Sequence, residues 1–235
     1  FVLTRWVPNN VIEVARNPRY WDAARVRLNR ILFYPIDNLL TEERSFRTGQ
    51  LDLTDGLANA KTPVYQRTWP EALHIDPYFG TYFYRLNVTR PPFDDPRVRR
   101  AFAQSVDRRA LTGNVLTGGQ QPALTYTPPG VGGYACPRGY DFDPETARRL
   151  LAEAGYPAGR GLPRIELLYN TSENHRLIAE AVQRMWKEHL GVDVALVNQD
   201  WKVYLAAQQR LDYQIARAAW IGDYADPMTF LECFL

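Results

Sequence analysis

Residues 1–7 and 11–16 read as two short strands, and Pro8-Asn9-Asn10 between them supplies the restricted and left-handed backbone angles of a tight reversal, so the chain opens on a predicted hairpin. An apolar segment at 28–36 predicts a further strand, 39–48 a helix ended by Gly49, and 51–54 another short strand. Residues 73–76 and 81–86 are extended in character, the second through the β-favouring run Thr81-Tyr82-Phe83-Tyr84. Two helices announce themselves by one device. Asp95-Pro96 and Asp143-Pro144 each set a capping carboxylate before a proline suited to the first helical turn, predicting helices over 96–105 and 144–154, with Gly155 as the second stop.

The segment 118–140 between them is dense in glycine and proline and predicts a long irregular loop, either a ligand-contacting lid or a surface excursion. Beyond it, 164–169 reads as a strand. Leu177, Ile178, Ala181, Val182, Met185, Trp186 and Leu190 then share one helical face that Gly191 closes. A strand at 192–197, a short helix at 202–208, a strand at 213–219 and a helix at 227–234 capped by Asp226 complete the pattern. Strands alternating with helices imply an α/β sandwich with a partly parallel sheet.

Composition adds limits. No apolar run in the 235 residues approaches a bilayer-spanning length, and no targeting signal is visible at the start, so the chain reads as soluble. Basic and acidic residues nearly cancel, 28 against 26, and the arginines at 97, 99, 100, 108 and 109 read as solvated helix faces, not as a nucleic-acid patch. Six Trp, fourteen Tyr and ten Phe exceed what a core of this size needs, as at a surface that grips a ligand. Cys136 and Cys233 fall in no metal or redox spacing and either pair or stay free.

No catalytic set assembles. There is no Gly-x-Ser-x-Gly elbow, His74, His175 and His189 stand in no metal-binding pairing, and no glycine-rich loop has the strand and helix that phosphate binding needs. The adjacent carboxylates Asp94/Asp95 and Glu42/Glu43 read as caps and solvated charge. The unusual constellation is Trp220-Ile221-Gly222-Asp223-Tyr224-Ala225-Asp226-Pro227. It places a carboxylate between aromatics directly after an apolar strand, where α/β sheets put ligand sites.

That stretch resembles the corresponding one in bacterial oligopeptide-binding proteins, the solute receptors of peptide ABC transporters (extracellular solute-binding proteins of family 5). The resemblance continues in Asn17-Pro-Arg-Tyr-Trp-Asp22, Phe46-Arg-Thr-Gly-Gln-Leu-Asp52, Pro92-Phe-Asp-Asp-Pro-Arg-Val-Arg-Arg-Ala101 with Asp107-Arg108, and Tyr126-Thr-Pro-Pro129. Ala147-Arg-Arg-Leu-Leu-Ala-Glu-Ala-Gly-Tyr156, Tyr169-Asn-Thr-Ser172 and Asn198-Gln-Asp-Trp-Lys202 extend it, all in one order. It implies a periplasmic-binding-protein-like α/β fold (type II, cluster C), with lobes of mixed sheets flanked by helices. Residues 1–79 would form part of the first lobe and 80–235 the second, truncated before the return to the first and crossing near Tyr78 and Phe83. The resemblance implies a monomeric, periplasmic or otherwise extracytoplasmic receptor, lipid-anchored or free, that holds extended peptides between two lobes and delivers them to ABC permease subunits. No cofactor, metal, nucleic acid or catalysis is implied.

The resemblance also assigns roles. Asp223 pairs with the peptide's free amine, Trp201 and Trp220 line side-chain pockets, Asn170 lies near the peptide backbone, His175 and Arg217 are positive groups meeting the carboxylate of peptides of particular lengths, and Tyr78 and Phe83 at the crossing also bind the ligand. The plain alternatives are a helix cap for Asp223, core packing for the tryptophans, and a surface or capping place for His175. Asp55, Gln208 and the lysine-free 114–116 region depart from the family pattern, which points to different peptide lengths and side-chain preferences. A receptor for a metal chelate or an oligosaccharide on the same scaffold is the alternative, and a free amine's need for Asp223 separates the two.

Overall fold

The computed structural model describes residues 1–235, in two compact units, Phe1–Leu57 and Ala58–Leu235. The first unit is a three-stranded antiparallel sheet of β1 (Val2–Val7), β2 (Val11–Ala15) and β3 (Arg30–Phe33). The predicted hairpin forms, with Asn9 at φ +58° turning the chain and Asn10 donating its N–H to Val7 O. Pairing sets Trp6 opposite Ile12 and Ile12 opposite Phe33, an apolar line on one face, while Glu13 and Arg30 form an ion pair on the other. Helix α1 (Leu39–Arg47) starts where Asn38 accepts the Thr41 N–H.

Two expectations fail in this unit. Residues 51–54 form no strand, because no neighbour pairs with them and Leu53 is 82% exposed. Glu42 and Glu43 are buried, not solvated, and Glu42 Oε1 accepts the Asp55 N–H at 2.7 Å. Burial is tolerated there because the carboxylate is hydrogen-bonded.

The second unit holds a four-stranded mixed sheet in the order β4-β7-β5-β6, built from β4 (Gly80–Leu86), β5 (Ile165–Asn170), β6 (Val194–Gln199) and β7 (Ile215–Ile221). β5 runs parallel to both neighbours and β4 antiparallel to β7. Helices α3 (Pro96–Gln104), α5 (Pro144–Glu153) and α6 (Glu173–Leu190) cover one face, where Phe93, Phe102, Leu151, Leu167 and Trp186 form the main core. α7 (Trp201–Gln209) covers the other through Tyr204 and Ala207 against Leu168 and Ala216. Each large apolar side chain so buried contributes about 1.5–3 kcal/mol.

The capping residues act as read: Asp95 accepts the Arg97 N–H and Asp143 the Thr146 N–H. Gly191 ends α6 at φ +73°, and a Cβ there would stand 2.8 Å from Ala158 O, so both its conformation and its close approach require glycine. Residues 73–76 are extended but pair with nothing, and the last helix is only α8 (Met228–Leu231) followed by a 3-10 turn. Besides several 3-10 turns, the sequence reading missed α2 (Thr62–Thr68), α4 (Arg108–Ala110) and the π-helical turn Leu111–Leu116 that continues α4. Arg108 is not on a solvated face either, being half-buried with its guanidinium donating to Ala103 O. Both cysteines are free, and no helix is long and apolar enough to cross a membrane.

A candidate ligand site at the carboxyl ends of the second sheet

The connection leaving β5 turns into α6 on one face, and the connection leaving β6 turns into α7 on the other. Such divergence opens a crevice at the carboxyl ends of parallel strands. Asn170 closes β5, Trp201 follows β6, and Trp220 to Asp223 close β7. The start of β4 comes to the same end because it is antiparallel to β7, bringing Tyr78 beside them. Trp201 is 52% exposed and stacked on Tyr204 at 5.5 Å, and Tyr78 is 72% exposed, so neither is a core residue.

The β7 end is held tightly. Gly222 N–H donates to Phe79 O at 2.8 Å, Trp220 Nε1–H to Thr229 O at 2.6 Å, and Asp223 N–H to Thr229 Oγ1 at 2.9 Å. The exposed Asp223 carboxylate has no hydrogen bond or ion pair within the protein, and Asp226 is the residue that accepts the Met228 N–H at the start of α8. A capping role for Asp223 is therefore absent. A Cβ on Gly222 would lie 2.2 Å from the Phe79 ring and 3.0 Å from Thr229 Cγ2. Gly222→Ala is expected to cost about 1–3 kcal/mol, since the ring must move and no flexible chain end is there to yield. An unchanged urea midpoint would contradict this.

Arg217, His175 and Tyr82 meet on the α6 face. The Arg217 guanidinium carbon lies 4.9 Å from the Tyr82 ring centre, and the His175 ring 5.7 Å from it. Burial raises the Tyr82 hydroxyl to about 12 despite the nearby guanidinium. Burial first, and then the charge of Arg217, lower His175 to about 4, so His175 is neutral near pH 7 while no carboxylate of a ligand stands beside it. Its folded value lies below the ordinary 6.5, so the unfolded chain takes up the proton first. Stability is expected to fall as pH drops from about 6.5 to about 4. His175→Gln should lose less between pH 7 and about 4.5 than the parent in matched urea melts; equal losses would count against it.

Phe83 lies apart, on the opposite face. It packs edge-on against Tyr126 at 5.0 Å, while Thr81 Oγ1 donates to Tyr126 O at 2.7 Å. Tyr126 also meets Phe230 and Phe234, and Gly139 N–H donates to Leu124 O. The 118–140 loop is thus anchored to the fold at Tyr126, and its two arms are joined between Gly139 and Leu124. Phe79, Thr229, Tyr82 and Tyr126 position this site and were not read from the sequence. The aromatic character of Phe79, Tyr82 and Tyr126 was visible, but the residues they meet, Phe230, Arg217 and Phe83 among them, lie far away along the chain.

A mixed α/β sheet whose carboxyl end carries the exposed aromatics Trp201 and Tyr78 and an unpaired carboxylate has the features of a ligand-binding scaffold. The chain belongs to the bacterial extracellular solute-binding proteins, family 5, whose model ("family 5 Middle") matches residues 1–235. It is 37% identical over 246 residues to the periplasmic oligopeptide-binding protein OppA of Escherichia coli, covering 100% of this chain and 44% of that protein. It is 38% identical over 245 residues to the oligopeptide-binding protein OppA of Bacillus subtilis, with coverage of 100% and 45%. The solved structure of the Escherichia coli murein tripeptide binding protein MppA superposes with a TM-score of 0.92 at 37% identity, covering 100% of this chain and 47% of that one. The chain thus spans less than half the length of these relatives.

Proposed function

We propose that the protein carrying this chain is an extracytoplasmic receptor that captures extended oligopeptides and delivers them to an ABC transporter without transforming them. The observation that carries the reading is the Asp223 carboxylate, free of internal partners at the end of β7 between Trp220 and Tyr224. A free α-amino group is the one cation common to all peptides, and a carboxylate held on a rigid backbone is its natural partner. Trp201, Trp220 and Tyr78 offer apolar walls, while hydrated pockets accommodate varied side chains. The lobe crossing lies near Tyr78 to Phe83, with residues 1–79 part of the first lobe and 80–235 the second, and the receptor works as a periplasmic monomer against permease subunits. The names of the relatives, periplasmic and peptide-binding, support the reading.

Native mass spectrometry of the full-length protein mixed with a tripeptide library tests it. Adducts of many compositions are expected, consistent with recognition of the backbone and amine. Bare protein throughout, at tens of micromolar peptide, would contradict it.

A further inference from the structure

Residues 16–29, which carry the chain from β2 to β3, form a closed loop in the first unit. The Arg16 N–H donates to Asn29 O at 2.8 Å across its neck, and Arg16 Nη1 donates to Val26 O at 3.2 Å. Inside the loop, Arg19 N–H donates to Asn17 Oδ1, Tyr20 N–H to Asn17 O and Ala23 N–H to Tyr20 O, so successive turns fix the backbone. Trp21 at its tip is 84% exposed, with the Tyr20 ring 5.5 Å away, and Leu28 is 60% exposed. Tryptophan is highly buried on average, so a ring left almost wholly in water on a rigid loop points to a partner.

Positive charge collects at the same place. Residues 16–29 hold Arg16, Arg19, Arg25 and Arg27 against Asp22 alone, a net of +3, whereas the whole chain carries +2 and the remainder therefore −1. Asp22 lies 3.6 Å from Arg25, while Arg19 and Arg27 are exposed and form no ion pair within the chain. Amphipathic rings beside unpaired guanidiniums suit the boundary of an anionic bilayer, where the rings settle among headgroups and the cations meet phosphates. A nucleic acid is not met outside the cytoplasm, and an acidic protein face answers the charge but not the apolar tip of Trp21 and Leu28. We propose that this loop docks the receptor on the anionic phospholipid surface of the membrane that holds its transporter. Trp21, Tyr20 and Leu28 enter the headgroup boundary, and Arg19, Arg25 and Arg27 meet lipid phosphates. This docking rests on the receptor reading above, but it uses none of the residues placed at the ligand site.

The test is co-sedimentation of the full-length protein, produced without lipid attachment and with no peptide present. The probes are vesicles of mixed phosphatidylcholine and phosphatidylglycerol, and vesicles of phosphatidylcholine alone. Binding to the mixed vesicles only is expected, weakening as salt is raised. Arg19→Gln, Arg25→Gln and Arg27→Gln should each weaken it about fivefold, the effect of one basic residue near an anionic surface. Trp21→Ala should weaken it roughly tenfold through lost apolar contact at the boundary, and Trp21→Tyr, which keeps an amphipathic ring, by less.

All of these side chains are exposed, so the variants should keep the parent's urea midpoint and its affinity for a tripeptide. Equal sedimentation with both kinds of vesicle, or none with either, would overturn the proposal. So would binding to mixed vesicles that no loop variant moves, the result expected were the loop covered in the full-length protein. If the parent binds no tripeptide, the proposed function has failed, and the vesicle series still decides the docking.

Discussion

Asp223→Asn in the full-length protein is expected to weaken binding of an unmodified tripeptide by about 3–5 kcal/mol, with little change in stability. The carboxylate touches nothing else in the fold, since Thr229 holds the backbone N–H of Asp223 and Asp226 serves α8. The effect therefore arises on ligand binding, when the peptide amine is covered and needs a charge beside it. An amide of the same shape leaves that ammonium buried without a counter-charge. Titration calorimetry measures the affinity and a urea melt the stability. A loss of less than about tenfold would remove Asp223 from the amine site.

Trp186→Ala is expected to cost about 3–5 kcal/mol of folding stability, read as a lower urea midpoint. The side chain is fully enclosed, with its ring 5.2 Å from Phe102 and 6.1 Å from Tyr84, and it joins α6 to α3 and β4. Its Nε1–H also donates to Phe102 O at 3.0 Å. Truncation opens a cavity and removes one hydrogen bond to the buried Phe102 carbonyl, which keeps the Ser105 hydroxyl, and both effects act in the same direction. A cost under about 1 kcal/mol would mean that the neighbouring side chains collapse into the space, contrary to a tightly packed core.

Local rules carried much of the fold. The Asp-Pro starts of α3 and α5 and the αL glycine after α6 depend on neighbours within a few residues, so they can be read from the sequence directly. Strand limits could not be. The segments read at 192–197 and 213–219 form β6 at Val194–Gln199 and β7 at Ile215–Ile221. The apolar run begins early because Val192 enters the core from the preceding turn. It ends early because polar Asn198 and Gln199 still pair with Tyr169 and Asn170. Helix α2 was missed although Pro63 marked its first turn, and the isolated run at 51–54 looked like a strand because periodicity says nothing about whether a partner strand exists.

The site was legible in part. Trp220 to Asp223 could be placed after an apolar strand, and that position alone predicts the ligand end of an α/β sheet. The contacts that hold those residues lie outside any local pattern, with Arg217 reaching Asn170 across 47 positions and Trp220 fixed by Thr229 of α8. The charge state of His175 depends on its burial and on Arg217, neither of which a linear pattern reveals.

The central claim is that this site recognises a free peptide amine through Asp223. Its most direct test is calorimetric titration of the full-length protein with an unmodified tripeptide and its N-acetylated twin. Tight binding of the first, with a loss of at least ~3 kcal/mol on acetylation, is the predicted result. Equal affinity for the two would contradict it.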